Sequence, residues 1–264
     1  MTGEFDLTTV NGCIKASENQ LNKNHKFTRL LNEYTQAHKD AKASIKEMRV
    51  KADKVEDWVE MAYKDLNILE DSITALRKIR RDAQSTEEDK IVNTFNLGAE
   101  YEVSRLCKME VEKGRSLGEY ALAEKIRSIN EHEETFGDKV KAFHITSISY
   151  NRNVEDFCDK VRAIRESLVA AMEAGAHHPP ALPVPSLESL KADHAMMEEH
   201  SATMAALVKP FQAKVCKTLL EAAILTGFIK KTFDFVSKRA KGYKDTLEKK
   251  KEQAKVEDKD PAHP

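Results

Sequence analysis

The sequence predicts an all-α protein, an elongated antiparallel three-helix coiled-coil bundle, and three observations predict it. First, no Gly or Pro interrupts the chain from Cys13 to Leu97. Second, within that run the apolar positions fall at Ile45, Met48, Ala52, Val55, Val59, Ala62, Leu66, Leu69, Ile73 and Leu76. They step by three and four residues in turn, the narrow seam of a helix that lies along other long helices. Third, charged residues make up 33% of the 264 residues and aromatics 6%, with only 9 Gly and 7 Pro. High charge with few breakers suits long solvated helices. A helix of roughly 70 residues would measure on the order of 100 Å.

The elements follow from punctuation. Residues 1–12 form an N-terminal segment, and the first helix is expected over about 13–83, starting after Asn11-Gly12. Ser85 with Glu88 reads as a capping box that opens the second helix, and Glu87, Glu88 and Asp89 complement its N-terminal dipole. That helix is expected over about 86–174, ended by Gly175 and the Pro-rich stretch His177 to Pro185. Its seam has two registers out of phase. One runs through Val92, Phe95, Ala99, Val103, Leu106, Lys113, Leu117 and Tyr120, the other through Ile129, Phe136, Val140, Phe143, Tyr150, Val154, Phe157 and Val161. Gly114 and Gly118 sit where the registers change, and a bend or close helix contact is expected there. Ser186 can cap the third helix, expected over about 186–249, and Pro210 should kink it. The seam stops after Lys249, so 250–264 is expected to be a disordered charged tail. No composition shift divides 13–249, which reads as one elongated domain.

Net charge is −1, which gives no global pull toward nucleic acid or anionic surfaces. The N-terminus has acidic residues and no apolar secretory core, and Leu219 to Ile229, the most apolar stretch, is too short to span a bilayer. Cys13, Cys107, Cys158 and Cys216 show no pair spacing, as expected of reduced thiols. A cytoplasmic protein is the expectation. None of the nine histidines has Glu three residues before it, so di-iron bundle chemistry fails. No Cys-x-x-Cys, His-Glu-x-x-His, phosphate-binding Gly-rich loop or nucleophile elbow occurs either. His194, Glu198 and His200 cluster on the third helix, and His132 lies among Glu131, Glu133 and Glu134; both read as solvated helix faces. Neither an enzyme nor a metal or cofactor is expected.

Local charge carries more. The first helix has Lys39, Lys42, Lys46 and Arg49 at helical spacing, then Arg77, Lys78, Arg80 and Arg81 at its end. The distal second helix has Lys139, Lys141, Arg152, Lys160, Arg162 and Arg165, and Lys209, Lys214 and Lys217 surround Pro210. Each cation held at an anionic leaflet is worth about 1 kcal/mol, so a group on one face can bind where net charge cannot. Ile145 and Ile148 lie off the main seam and are candidates for a dimer interface, since a core three helices wide is thin.

The segments Lys51 to Leu66, Phe95 to Lys113 with the following GEYALAEKI, and Lys217 to Leu247 resemble the BAR domain superfamily, most closely the small stand-alone ciliary BAR domain-containing type. The resemblance covers about residues 13–250. It implies a crescent-shaped homodimer whose concave Lys and Arg residues meet curved anionic membrane rich in phosphatidylserine or phosphoinositide. It also implies a peripheral membrane location, possible protein partners and no nucleic acid. By that analogy the tip lies near His177 to Pro185. Three features depart from the pattern: the tip carries no Lys or Arg, net charge is near zero, and GEFDLTT ahead of the first helix is acidic. The expected function is a scaffold that binds or senses membrane curvature through Lys42, Lys46, Arg49, Lys139, Lys141, Arg152, Lys160, Arg162, Arg165, Lys209, Lys214 and Lys217. The alternative is an elongated coiled-coil or spectrin-like cytoskeletal scaffold without lipid binding, against which stand a single tryptophan, Trp58, and no internal repeat.

Overall fold

The structure, a computed structural model, describes residues 5–82, 87–175 and 184–257, and it describes side chains for all of these except 82, 87–97, 184–186 and 257. The chain is all-helical with three long helices. The first is α1 (Val10–Asp82). The second comprises α2 (Glu87–Ser116), a π-helical segment (Leu117–Leu122) and α3 (Ala123–Glu173). The third comprises α4 (Val184–Leu207) and α5 (Lys209–Glu257).

The helix ends differ from the sequence expectation for identifiable reasons. α1 begins at Val10, ahead of Gly12, because Thr9 caps it: its Oγ1 accepts from the Gly12 N–H at 3.1 Å. The Thr9 N–H is itself held by the Asp6 carbonyl at 3.2 Å. That turn packs so tightly that a Cβ on Gly12 would lie 1.8 Å from the Asp6 oxygen. At the other end of the second helix, Gly175 adopts φ +89° and donates to the Met172 carbonyl at 3.1 Å, the left-handed cap that Gly alone adopts without strain. α4 starts at Val184, with Pro185 in its first turn rather than in a loop; a missing N–H costs nothing there. α5 continues to Glu257 where a disordered tail was expected from 250, since Lys, Glu, Gln and Ala all favour helix without a seam. The Ser85 capping box and His177 to Pro183 lie outside the described residues.

Breaks within the helices coincide with the breakers. The π segment begins one residue before Gly118, and a π turn inserts an extra residue that rotates everything after it. The first of the two registers expected from sequence is not the buried one: Leu106 and Tyr120 are exposed, and the buried line runs through Glu100, Cys107 and Val111 before the π segment and Leu122, Ile129 and Phe136 after its start. α4 and α5 part at Val208, so Pro210 falls in the first turn of α5, with the Phe211 N–H on the Val208 carbonyl at 3.1 Å.

The chain divides into two compact units, Met1–Ala43 with Asn130–Lys217 and Ser44–Ile129 with Thr218–Pro264. In the first, Phe27 meets Phe143 and Tyr150 edge to face, with centroids 6.3 and 5.4 Å apart, and Tyr34 meets Phe143 at 5.8 Å. The buried Tyr150 hydroxyl donates to Gln20 Oε1 at 2.7 Å, and burial pushes its pKa up. Gln20 in turn donates to Glu198 at 2.8 Å, so α1, α3 and α4 share one polar chain through this core. In the second unit, Met48, Val55, Leu122, Ala222 and Ile229 form one cluster, and Leu66, Leu69, Ile73, Cys107, Val111, Val236 and Ala240 contribute to another. Each combines α1, the second helix and α5.

Candidate functional site

Of the basic residues singled out from sequence, Lys42, Lys139, Lys141, Arg152, Lys160, Arg162, Arg165, Lys209, Lys214 and Lys217 lie in the first unit, and Lys46 and Arg49 in the second. The structure treats them unequally. Lys160 donates to Asp193 Oδ2 at 2.5 Å and to the Ser189 hydroxyl at 3.0 Å, which ties α3 to α4. Lys139 lies 5.7 Å above the Phe211 ring. Lys42 approaches Glu133 at 3.8 Å, a carboxylate already held by His38 at 2.6 Å. Arg162 pairs with Asp159 at 2.8 Å and Lys141 with Asp138 at 3.1 Å, both exposed and one turn apart. Such pairs are worth little and exchange readily with another anion. Lys214 is close enough to His132 to lower that ring's pKa, although burial of the ring is the larger cause. Arg152, Arg165, Lys209 and Lys217 are exposed and make no ion pair among the described residues.

These cations do not share one face of α3. At roughly 100° per residue, Lys139, Lys160 and Arg165 point in different directions from Lys141 and Arg152. What α3 does align is Lys141, Ile145, Ile148 and Arg152, spaced four, three and four residues apart on one flank. Ile145 and Ile148 are 66% and 58% exposed. Two isoleucines thus stand bare between two cations, with Asp138 and Glu155 at the ends of the row.

Two further surfaces were missed in the sequence. On α5, Leu220, Ile224, Phe228 and Phe235 stand 63%, 50%, 52% and 37% exposed on one face. Lys231 lies 5.9 Å over the Phe228 ring and Arg239 lies 5.6 Å over Phe235. The signal was available: Leu220, Ile224 and Phe228 repeat every fourth residue, outside the seam of Ala222, Ile229 and Val236. The second surface is a groove of about 600 Å³ in the second unit, bordered by Arg80, Glu100, Phe235, Lys238, Arg239 and Tyr243. Glu100, 5% exposed, binds Arg80 Nη2 at 2.7 Å and lies 3.8 Å from Arg77 Nε. Burial, and after it the Glu100 carboxylate, raises the Tyr243 pKa, with Arg239 and Arg80 opposing.

Of the His194, Glu198 and His200 cluster, expected as a solvated face, His194 and Glu198 are engaged within the fold, while His200 Nδ1 is buried without a hydrogen-bond partner among the described residues. Glu198 accepts from Lys23 Nζ at 2.5 Å and from Gln20, and His194 packs 6.1 Å from both Phe5 and Phe157. Burial raises the Glu198 pKa, but the Lys23 and Gln20 hydrogen bonds and the Lys23 and His194 charges together bring it below its ordinary value. No group of three or more His, Cys, Asp or Glu is placed to hold a metal ion among the described residues. No helix there is long and apolar enough to cross a membrane. Compared with known proteins, the chain matches no family model, no curated protein and no solved structure.

Proposed function

We propose that this protein is a BAR-like, antiparallel helical scaffold that binds anionic membrane surfaces as a homodimer. The observation that supports this most is the row Lys141, Ile145, Ile148 and Arg152 on α3, with its two isoleucines exposed between cations. A leaflet of acidic headgroups over acyl chains is the surface such a row suits: each cation contributes about 1 kcal/mol, and the apolar side chains enter the headgroup boundary. Lys209 and Lys217 of the same unit are further exposed cations without an ion pair among the described residues, whereas Arg165 points away from the row. The other candidates, Lys42, Lys46, Arg49, Lys139, Lys160, Arg162 and Lys214, contribute less wherever a neighbour already engages them.

This reading moves the dimer contact. Ile145 and Ile148 cover only a small part of the roughly 800 Å² per partner that a standard interface buries. The α5 face of Leu220, Ile224, Phe228 and Phe235 is the larger apolar surface and the better site for a second copy.

Vesicle co-sedimentation tests the membrane reading. The protein is expected to pellet with vesicles containing phosphatidylserine or phosphoinositide and not with phosphatidylcholine alone. A variant carrying Lys141→Glu, Arg152→Glu and Ile145→Ser is expected to stay in the supernatant. If the protein binds no anionic vesicle at low salt, the reading fails, and a cytoskeletal scaffold without lipid binding takes its place.

A further inference from the structure

Residues 5–9, in the first unit, lie against α1 and α4 as a short strap that neither the membrane contact nor the dimer contact uses. Leu7 is buried, and its carbonyl accepts from Cys13 Sγ at 3.5 Å. Asp6 takes the Thr8 N–H at 3.0 Å and feels the charge of Lys191 on α4. Phe5 meets the His194 ring of α4 edge to face, with centroids 6.1 Å apart, and Phe157 of α3 lies against the same ring at 6.1 Å. The imidazole thus touches both the strap and the core, and its side chain is 17% exposed. Its Nε2 is buried without a hydrogen-bond partner among the described residues, 3.8 Å from Glu198 Oε1. That carboxylate already accepts from Lys23 and Gln20. The charged groups that face the ring are Glu198 on its own helix and Lys23 on α1, whereas α3 and the strap bring the phenyl rings of Phe157 and Phe5.

We infer that residues 5–9 are a pH-operated latch, closed over α4 while His194 is neutral and released when the ring takes up a proton. A neutral imidazole packs against phenyl rings as one more flat, weakly hydrated plate. An imidazolium in the same place has lost its water and carries a proton on both nitrogens, one of them with no acceptor in hydrogen-bond reach. Two movements relieve this: Phe5 lifts and admits water to the ring, or the ring swings toward Glu198. Either one ends the contact between Phe5 and His194. Burial holds the His194 pKa below its ordinary 6.5, with Glu198 opposing and Lys23 adding to the effect. Opening hydrates the ring and moves it back toward 6.5, so the open strap binds the proton more tightly and acid favours it. The closed strap keeps its full stability above pH 6.5 and loses it as pH falls through the lower value. Few contacts hold the strap beyond this ring, chiefly buried Leu7 and the attraction between Asp6 and Lys191, so one proton can decide its position.

Hydrogen exchange of the full chain, read by mass spectrometry at pH 7.5 and 5.5, tests the latch. The Thr8, Thr9, Gly12 and Cys13 amides are held by hydrogen bonds within and next to the strap, so their protection reports its opening. After correction for the intrinsic rate at each pH, their protection should fall about tenfold at pH 5.5, since one proton shifts an equilibrium by at most about tenfold per pH unit. Amides in the middle of α3 should keep their protection, which separates local release from unfolding of the unit. His194→Gln should make the protection of the strap independent of pH, and Phe5→Ala should lower it at both. Unchanged protection in the unmodified protein, the same fall in His194→Gln, or an equal loss throughout α3 overturns the proposal. None of these outcomes bears on vesicle binding, so the latch and the membrane reading fail separately.

Discussion

A Cβ added to Gly118 would lie 2.4 Å from Val55 Cγ1, a distance that two carbon atoms do not adopt. Val55 is buried and β-branched, so it cannot rotate away cheaply. Gly118→Ala should therefore lose about 1–3 kcal/mol to overpacking, offset in part by about 1 kcal/mol of helix propensity. Urea denaturation should show a net loss of up to about 2 kcal/mol, and the same substitution in a Val55→Ala background should cost nothing or stabilise. Equal costs in the two backgrounds would place the strain elsewhere. His194 makes a second prediction at this scale. Burial lowers its pKa from the ordinary 6.5, with the Lys23 charge adding to the effect and Glu198 opposing it. The folded state therefore resists protonation, so the unfolded chain binds more protons as pH drops below 6.5. The stability from neutral His194 is present above pH 6.5 and lost as pH falls through the lower folded value. Glu198, also depressed, adds a loss in the same direction at lower pH, below its ordinary 4.5. Thermal midpoints measured from pH 7.5 down to 5 should fall, and His194→Gln should flatten that slope.

At the scale of the helix, legibility tracked periodicity. The seam of α1 was readable because its apolar steps are strict, and Ile45, Met48, Val55, Ala62, Leu66, Leu69, Ile73 and Leu76 are all buried. The break before Pro210 was readable because proline has one physical consequence in a helix. The π segment was half readable: two glycines mark the place, but the register expected before it was wrong, since Leu106 and Tyr120 are exposed while Cys107 and Val111 are buried, and the π hydrogen-bond pattern has no residue signature of its own. Charge was the least legible. Lys160 and Arg165 look alike in sequence, yet one is bound to Asp193 on another helix and the other makes no ion pair among the described residues. Pairing between distant positions leaves no local trace. The α5 face was passed over because Leu219 to Ile229 was weighed as a membrane span and not as a helix with two apolar faces. That face makes its own prediction. Phe228→Glu, at a side chain 52% exposed, should leave the chain fully helical by circular dichroism. It should also convert the protein from dimer to monomer by light scattering. Ile145→Glu with Ile148→Glu should leave the mass unchanged. The reverse pattern would return the dimer contact to α3.

Across the whole molecule, 43 basic and 44 acidic residues nearly cancel, so long-range attraction cannot bring this chain to an anionic surface. Any such attraction is local, and it reaches only as far as the Debye length, about 10 Å at 0.1 M salt. The proposed membrane contact then has two parts that differ in their response to salt. Attraction through Lys141 and Arg152 is screened, whereas burial of Ile145 and Ile148 in the headgroup boundary is not. Vesicle affinity should therefore fall steeply between about 0.05 and 0.1 M salt and then level off at a residual value carried by the isoleucines. Lys141→Glu with Arg152→Glu should remove the steep part, and Ile145→Ser with Ile148→Ser should remove the plateau and leave the slope. If all of the affinity disappears with salt in the unmodified protein, the isoleucines do not enter the membrane, and the α3 row is reduced to two cations among forty-three.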